Sequence, residues 1–225
     1  MHGKNEDGSY ILPASFVRRH DFVSLHPGMW MNDAIINAFL TVLNTVCKLK
    51  KLKIHIWQTH FFTKLYANKK CNYNEVESWH KNVDGSIFEK DIVIIPVNKD
   101  GVHWVVIAIY IVEKRIEYYD SMRANDDDAM AMMQCCNEYL KKLEEKKYGT
   151  SELSKNFELK IMDNLPQQLN GYDCGAFMTN FTYNIVMNFN QDFEQLYANY
   201  WRYFIGAVLL SPKKYLYDRI ENESL

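Results

Sequence analysis

Residues 166–177, PQQLNGYDCGAF, put a cysteine where a polar turn meets a new apolar helix. The first-turn N–H groups of that helix would face the Cys174 sulfur, and their partial positive charge favours thiolate over thiol. A thiolate is the form that attacks a carbonyl carbon. Gly175, having no Cβ, would let a substrate backbone come close. Taken alone the loop fits a small buried cysteine equally well, because free cysteines are mostly buried.

A thiol nucleophile needs a base, and the base needs a group that fixes its tautomer. His103 stands at the start of the apolar run 102–112, and Asp120 ends the run 116–120. If the two runs form an antiparallel hairpin turning at residues 113–115, the start of one lies beside the end of the other. A turn centred near residues 111–112 makes His103 and Asp120 near cross-strand neighbours. Acyl transfer also needs donors for the oxyanion. Gln167 and Gln168 precede the cysteine in the same loop, and either amide, with the backbone N–H of Cys174, would serve.

The other cysteines carry no such pattern. Cys47 falls on the apolar face of a helix, Cys135 and Cys136 fall inside another, and Cys71 stands apart. Five cysteines without regular spacing argue against a disulfide framework, and there is no C-x-x-C pair for zinc. These four are expected to be structural. His20, His26, His55, His60 and His80 show no ligand spacing.

The elements that must hold these groups are legible in outline. Asn32 is a good N-cap with Asp33 in the first turn, and two apolar rows follow at helical spacing to Cys47. Shorter helices are expected around residues 61–66 and 74–80. Residues 91–97 (DIVIIPV) form a strand whose proline points to an edge or bulge. Residues 102–112 form a central strand buried on both faces, and 116–120 its hairpin partner. Asn125 and the aspartates after it cap a helix that reaches Tyr148 and stops at Gly149. Residues 157–162 alternate as a strand, a helix starts near Cys174, and residues 193–210 are helical. Strands in the middle with helices on either side indicate an α+β domain.

Composition agrees. The chain has 225 residues, 48% hydrophobic and 24% charged, with a net charge of -2. That suits one globular domain over residues 10–225 behind a flexible start, 1–9. It supplies no field for nucleic acid, and the basic run 48–53 is expected to be a solvated helix end. No apolar segment approaches a membrane span or a signal peptide. The chain is expected in a reducing, intracellular compartment, nucleus and/or cytoplasm, as a monomer.

In order along the chain, WMND and Ile36-Asn37, residues 59–65 (THFFTKL), 76–88, 91–110 with His103-Trp104, 118–122 (YYDSM) and 166–177 resemble the ubiquitin-like-protein-specific cysteine proteases, the SUMO or sentrin proteases. The resemblance implies a papain-like fold with a central mixed β-sheet flanked by helices. It implies a catalytic triad of His103, Asp120 and Cys174, with Gln168 rather than Gln167 in the oxyanion hole. It implies that Trp30 and Trp104 roof a narrow tunnel for the modifier's C-terminal Gly-Gly, and that Asp33 faces the bound modifier. The implied reaction is cleavage after that Gly-Gly, in precursors or conjugates of SUMO, with no cofactor and no metal. Another ubiquitin-like modifier, ubiquitin itself, or acyl transfer by the same site are the alternatives. Two positions depart from the family pattern: Met31 stands for the commoner leucine, and Tyr172 for a smaller residue beside the nucleophile.

Overall fold

The computed structural model describes residues 17–122 and 126–217. The expected flexible start, residues 1–9, and the Asn125 cap lie outside the described residues. The helices are α1 (Asp33–Leu49), α2 (His60–Leu65), α3 (Tyr73–Val76), α4 (Asp126–Tyr148), α5 (Cys174–Met187) and α6 (Ala198–Leu210). The strands are β1 (Ile54–Ile56), β2 (Tyr66–Ala67), β3 (Lys70–Cys71), β4 (Ile92–Lys99), β5 (His103–Tyr110), β6 (Arg115–Tyr119) and β7 (Glu158–Ile161). Five of them form one mixed sheet in the order β1-β4-β5-β6-β7. The outer pairs, β1/β4 and β6/β7, are parallel, and the inner pairs are antiparallel. The fold is α+β, with helices on both faces of the sheet.

Both faces are buried, which is why β5 reads as a continuous apolar run. Trp104, Val106 and Ala108 point into a core with α1, α5 and α6. Val105, Ile107 and Ile109 point into a second core with α2 and α4. Helix α1 begins as its sequence requires: the Asn32 side chain accepts the Ile35 N–H at 3.0 Å. Both of its apolar rows are buried. Helix α4 runs to Tyr148, and Gly149 follows at φ +69°, the left-handed position expected after a helix end. Among the described residues no helix is long and apolar enough to cross a membrane.

Several expectations need correction. β4 lies inside the sheet rather than at an edge. β1 pairs only with Ile92, Val93 and Ile94, so Pro96 falls beyond the last β1 partner and its missing N–H costs no bond there. The β5–β6 turn covers residues 111–114, earlier than 113–115, because Arg115 already pairs with Tyr110. Residues 193–197 are not part of α6. Phe193 is buried edge-on against Phe177 at 4.9 Å, and a 3-10 turn (Gln195–Tyr197) leads into the helix. Cys71 and Cys135 form a disulfide between β3 and α4, against the expectation from spacing. The two are 64 positions apart, and only the packing of β3 on α4 brings their Cα atoms to 5.4 Å.

One ion pair ties distant segments together. Arg202 of α6 has no solvent exposure, and Asp173, just before α5, is 1% exposed. Arg202 Nε and Nη2 donate to Asp173 Oδ1 at 2.9 and 2.8 Å. Its other donors reach Ser24 O at 3.0 Å and Tyr172 O at 2.9 Å. The guanidinium therefore joins the 3-10 helix Arg19–Leu25, the loop before Cys174, and α6. Removing one member of such a pair strands the other charge in the core, at a cost of about 3–5 kcal/mol. Arg202→Ala is therefore expected to lower the urea-unfolding free energy by about that amount, and a loss of less than about 1 kcal/mol would contradict the pairing.

Candidate active site

The β4–β5 turn sets where His103 sits. Asp100 and Gly101 take positive φ of 53° and 77°, and Lys99 then pairs with His103. His103 is thus the first residue of β5, at the end of the sheet. In the β5–β6 register Val106 faces Tyr119 and Tyr110 faces Arg115, so position 122 would lie opposite His103. Asp120 is two residues short of that position. An offset of two keeps both side chains on the same face, as diagonal neighbours that long side chains can bridge.

They do bridge. His103 Nε2 donates to Asp120 Oδ1 at 2.6 Å. Asp120 is 7% exposed, and its carboxylate also accepts the Met122 N–H at 2.8 Å and the Tyr118 hydroxyl at 3.4 Å. With Nε2 committed to Asp120, Nδ1 is left for the Cys174 sulfur. Burial of the ring alone would lower the His103 pKa. Hydrogen bonds to Asp120 and Cys174, with the charges of both, outweigh it and raise the pKa to about 9. Both Asp120 and Cys174 thus favour the protonated ring.

Cys174 opens α5, a helix of 14 residues, so its sulfur lies at the positive end of the helix dipole. The other free cysteines differ. Burial pushes the Cys47 thiol up to about 12 and also raises Cys136, so both stay neutral.

The two glutamines separate. Gln168 is 9% exposed; its Oε1 accepts from Ser121 Oγ at 2.7 Å, and its Nε2 donates to Asn170 O at 2.5 Å. The amide is fixed, with one N–H left for another acceptor. Gln167 is exposed and turns its amide to the backbone oxygens of Asp120 and Leu165.

A cleft of about 340 Å³ lies beside Cys174. Trp30, Met31, Asp33, His60 and Trp104 are among its walls, and Tyr172 is not. Trp30 is 54% exposed. Trp104 is buried and donates its indole N–H to Met31 O at 3.1 Å. Asp33 is exposed in the first turn of α1, 3.6 Å from His60 Nε2. Cys174 is thus the meeting point of two groups: His103, Asp120 and the Gln168 loop on one hand, and Trp30, Asp33 and Trp104 on the other.

Gly175 packs tightly against the cleft wall. A Cβ there would stand 2.8 Å from Met31 Cβ and 3.5 Å from Trp104 Cδ1. The missing side chain makes room for the cleft wall behind Cys174. Sequence reasoning also passed over Ser121, Asn170, Asp173, Gln195 and Arg202, which hold the loop before Cys174. One signal was available: Arg202 is the sole charge in the apolar helix ANYWRYFIGAVLL.

Residues 29–205 match the model of the Ulp1 protease family, C-terminal catalytic domain. The ubiquitin-like-specific protease ESD4 of Arabidopsis thaliana is 30% identical over 79% of this chain and 37% of its own length. A sentrin-specific protease of Caenorhabditis elegans is 32% identical over 94% of this chain and 29% of its own. The chain therefore spans about a third of the length of these relatives. The solved Ulp1 protease domain, in complex with Smt3, the yeast ortholog of SUMO, superposes with a TM-score of 0.73. It is 28% identical, and the match covers 93% of this chain and 87% of that one. With the family model spanning most of its length, this chain belongs to the Ulp1 protease family.

Proposed function

We propose that this chain is a thiol protease that cleaves after the C-terminal Gly-Gly of a small ubiquitin-like modifier, SUMO. Its substrates are SUMO precursors, SUMO–protein conjugates, or both. The observation that carries this is the chain of contacts Asp120–His103–Cys174 at the mouth of a tryptophan-walled cleft. SUMO as the partner rests on the relatives and on the Smt3-bound structure. The activity belongs to one catalytic domain over residues 10–225, acting as a monomer in the nucleus and/or cytoplasm.

The Cys174 thiolate attacks the carbonyl carbon of the terminal glycine. The developing oxyanion is received by the Cys174 N–H and by the free N–H of Gln168. The His103 imidazolium, held by Asp120, gives its proton to the departing amine, and a thioester remains. His103, now neutral, takes a proton from water, which attacks the thioester. The modifier leaves as a carboxylic acid and Cys174 returns as thiolate with imidazolium. Trp30 and Trp104 border the route by which the tail arrives. Glycine suits that route, because any Cβ would widen the segment between flat rings. Asp33 stands on the rim, where the body of the modifier would rest.

A SUMO vinyl-sulfone probe is expected to label Cys174, and Cys174→Ala to remove both labelling and turnover. Labelling by a ubiquitin probe alone would sink the SUMO assignment. Trp30→Ala removes an exposed side chain, so it is expected to leave the melting temperature in place and raise KM for the modifier by about tenfold. An unchanged KM would separate Trp30 from recognition. The His103 pKa of about 9 lies above its ordinary 6.5. Such a group adds stability that is complete below pH 6.5 and is lost as pH rises through about 9. The protonated ring is also the acid for the leaving amine, so kcat/KM is expected to fall over the same upper range. Asp120→Asn removes the charge that raises the pKa. It is expected to lower kcat by roughly 10³–10⁴ and to shift the alkaline limb to lower pH. A limb that stays in place would show that Asp120 does not govern His103.

A further inference from the structure

Gln195 is the one side chain outside the nucleophile loop that reaches both ends of it among the hydrogen bonds described. Its Oε1 accepts the Leu169 N–H at 2.8 Å, and its Nε2 donates to Asp173 Oδ2 at 2.7 Å. Leu169 follows the proposed oxyanion donor Gln168, and Asp173 precedes the nucleophile Cys174. We infer that Gln195 is a positioning residue, a clamp that sets the distance and direction between the Gln168 amide and the Cys174 sulfur. This rests on the function proposed above.

The loop has other restraints, and they leave this task open. Within the loop, the Asn170 side chain accepts from the Tyr172 and Asp173 N–H groups at 3.1 and 3.0 Å and donates to Asp173 Oδ2 at 2.7 Å. These bonds close the turn onto Asp173. Arg202 then fixes Asp173 to the core. At the other end Ser121 holds Gln168, through the 2.7 Å side-chain bond and a 2.8 Å bond from the Gln168 N–H to Ser121 O. Ser121 follows the end of β6, whereas Asp173 is bonded to Arg202 of α6. Gln195, on the 3-10 turn before α6, couples the two ends. Oxyanion stabilisation demands donors placed to within about 0.5 Å, so loss of that coupling weakens transition-state binding before it weakens folding.

Burial separates the two effects. Leu169 is 82% exposed, so its N–H turns to water when Gln195 is shortened. Asp173 Oδ2 keeps Asn170, and Asp173 Oδ1 keeps Arg202. Gln195→Ala should therefore fold normally.

The test is a double-mutant cycle with Gln168→Ala, read on SUMO joined through its Gly-Gly to a fluorogenic amine. Gln195→Ala alone is expected to lower kcat about tenfold, less than the loss of a whole oxyanion donor. KM and the rate of Cys174 alkylation by iodoacetamide should stay within about twofold. With Gln168 already replaced by alanine, adding Gln195→Ala should change kcat by less than about twofold, because its target is gone. An equal tenfold loss in both backgrounds, or no loss in either, overturns the inference while leaving the protease assignment in place. A Gln168→Ala enzyme with full kcat overturns the role of Gln168 and this inference together. Absence of cleavage by the unaltered chain would instead refute the proposed function.

Discussion

A guanidinium and a carboxylate with no access to water must neutralise each other, and Arg202 and Asp173 do so at the base of the loop before Cys174. Desolvating both charges is costly, and the pair is tolerated because almost every donor and acceptor finds a partner. Arg202 spends its donors on Asp173 and on the backbone oxygens of Ser24 and Tyr172. Asp173 receives Asn170 and Gln195 as well. Replacing such a pair by a hydrophobic pair of similar shape is often neutral or stabilising. A hydrophobic pair would not fix the direction of the loop, which hydrogen bonds do and dispersion contacts do not. The buried charge pair sets where Cys174 emerges, and the cleft is arranged around that point.

The second constraint is parity. In a strand every side chain alternates faces, so His103 and Asp120 meet only if the β5–β6 register keeps them on one face. The turn at residues 111–114 gives an offset of two, and the 2.6 Å bond closes the gap. One residue more or less in that turn would send Asp120 to the opposite core. The same alternation puts Trp104, the neighbour of His103, against α5 and the cleft wall. Two adjacent residues thus serve opposite faces of one strand.

All three free thiols are buried. Cys47 and Cys136 lie in the two cores, where a negative charge would be unsolvated, and they remain neutral. Cys174 is also buried, but it has the His103 imidazole beside it and a helix N-terminus behind it. Exposure alone would not tell these three apart; their charged neighbours do.

Sequence by itself determined the local elements and the chemical inventory. The Asn32 cap, the apolar run of β5, the stop at Gly149 and the helix start at Cys174 follow from neighbouring residues, because caps and periodicity act over a few positions. The ordered motifs around His103, Asp120 and Cys174 pointed to the family. Tertiary structure decided what depends on distant segments. It separated Gln168 from Gln167 through Ser121, 47 positions away in sequence from Gln168. It showed that Gly175 makes room for Met31 and Trp104, that Cys71 meets Cys135, and that Arg202 and Gln195 hold the loop. Each of these is a contact across a large sequence separation, and spacing carries no record of which distant partner fills a given space.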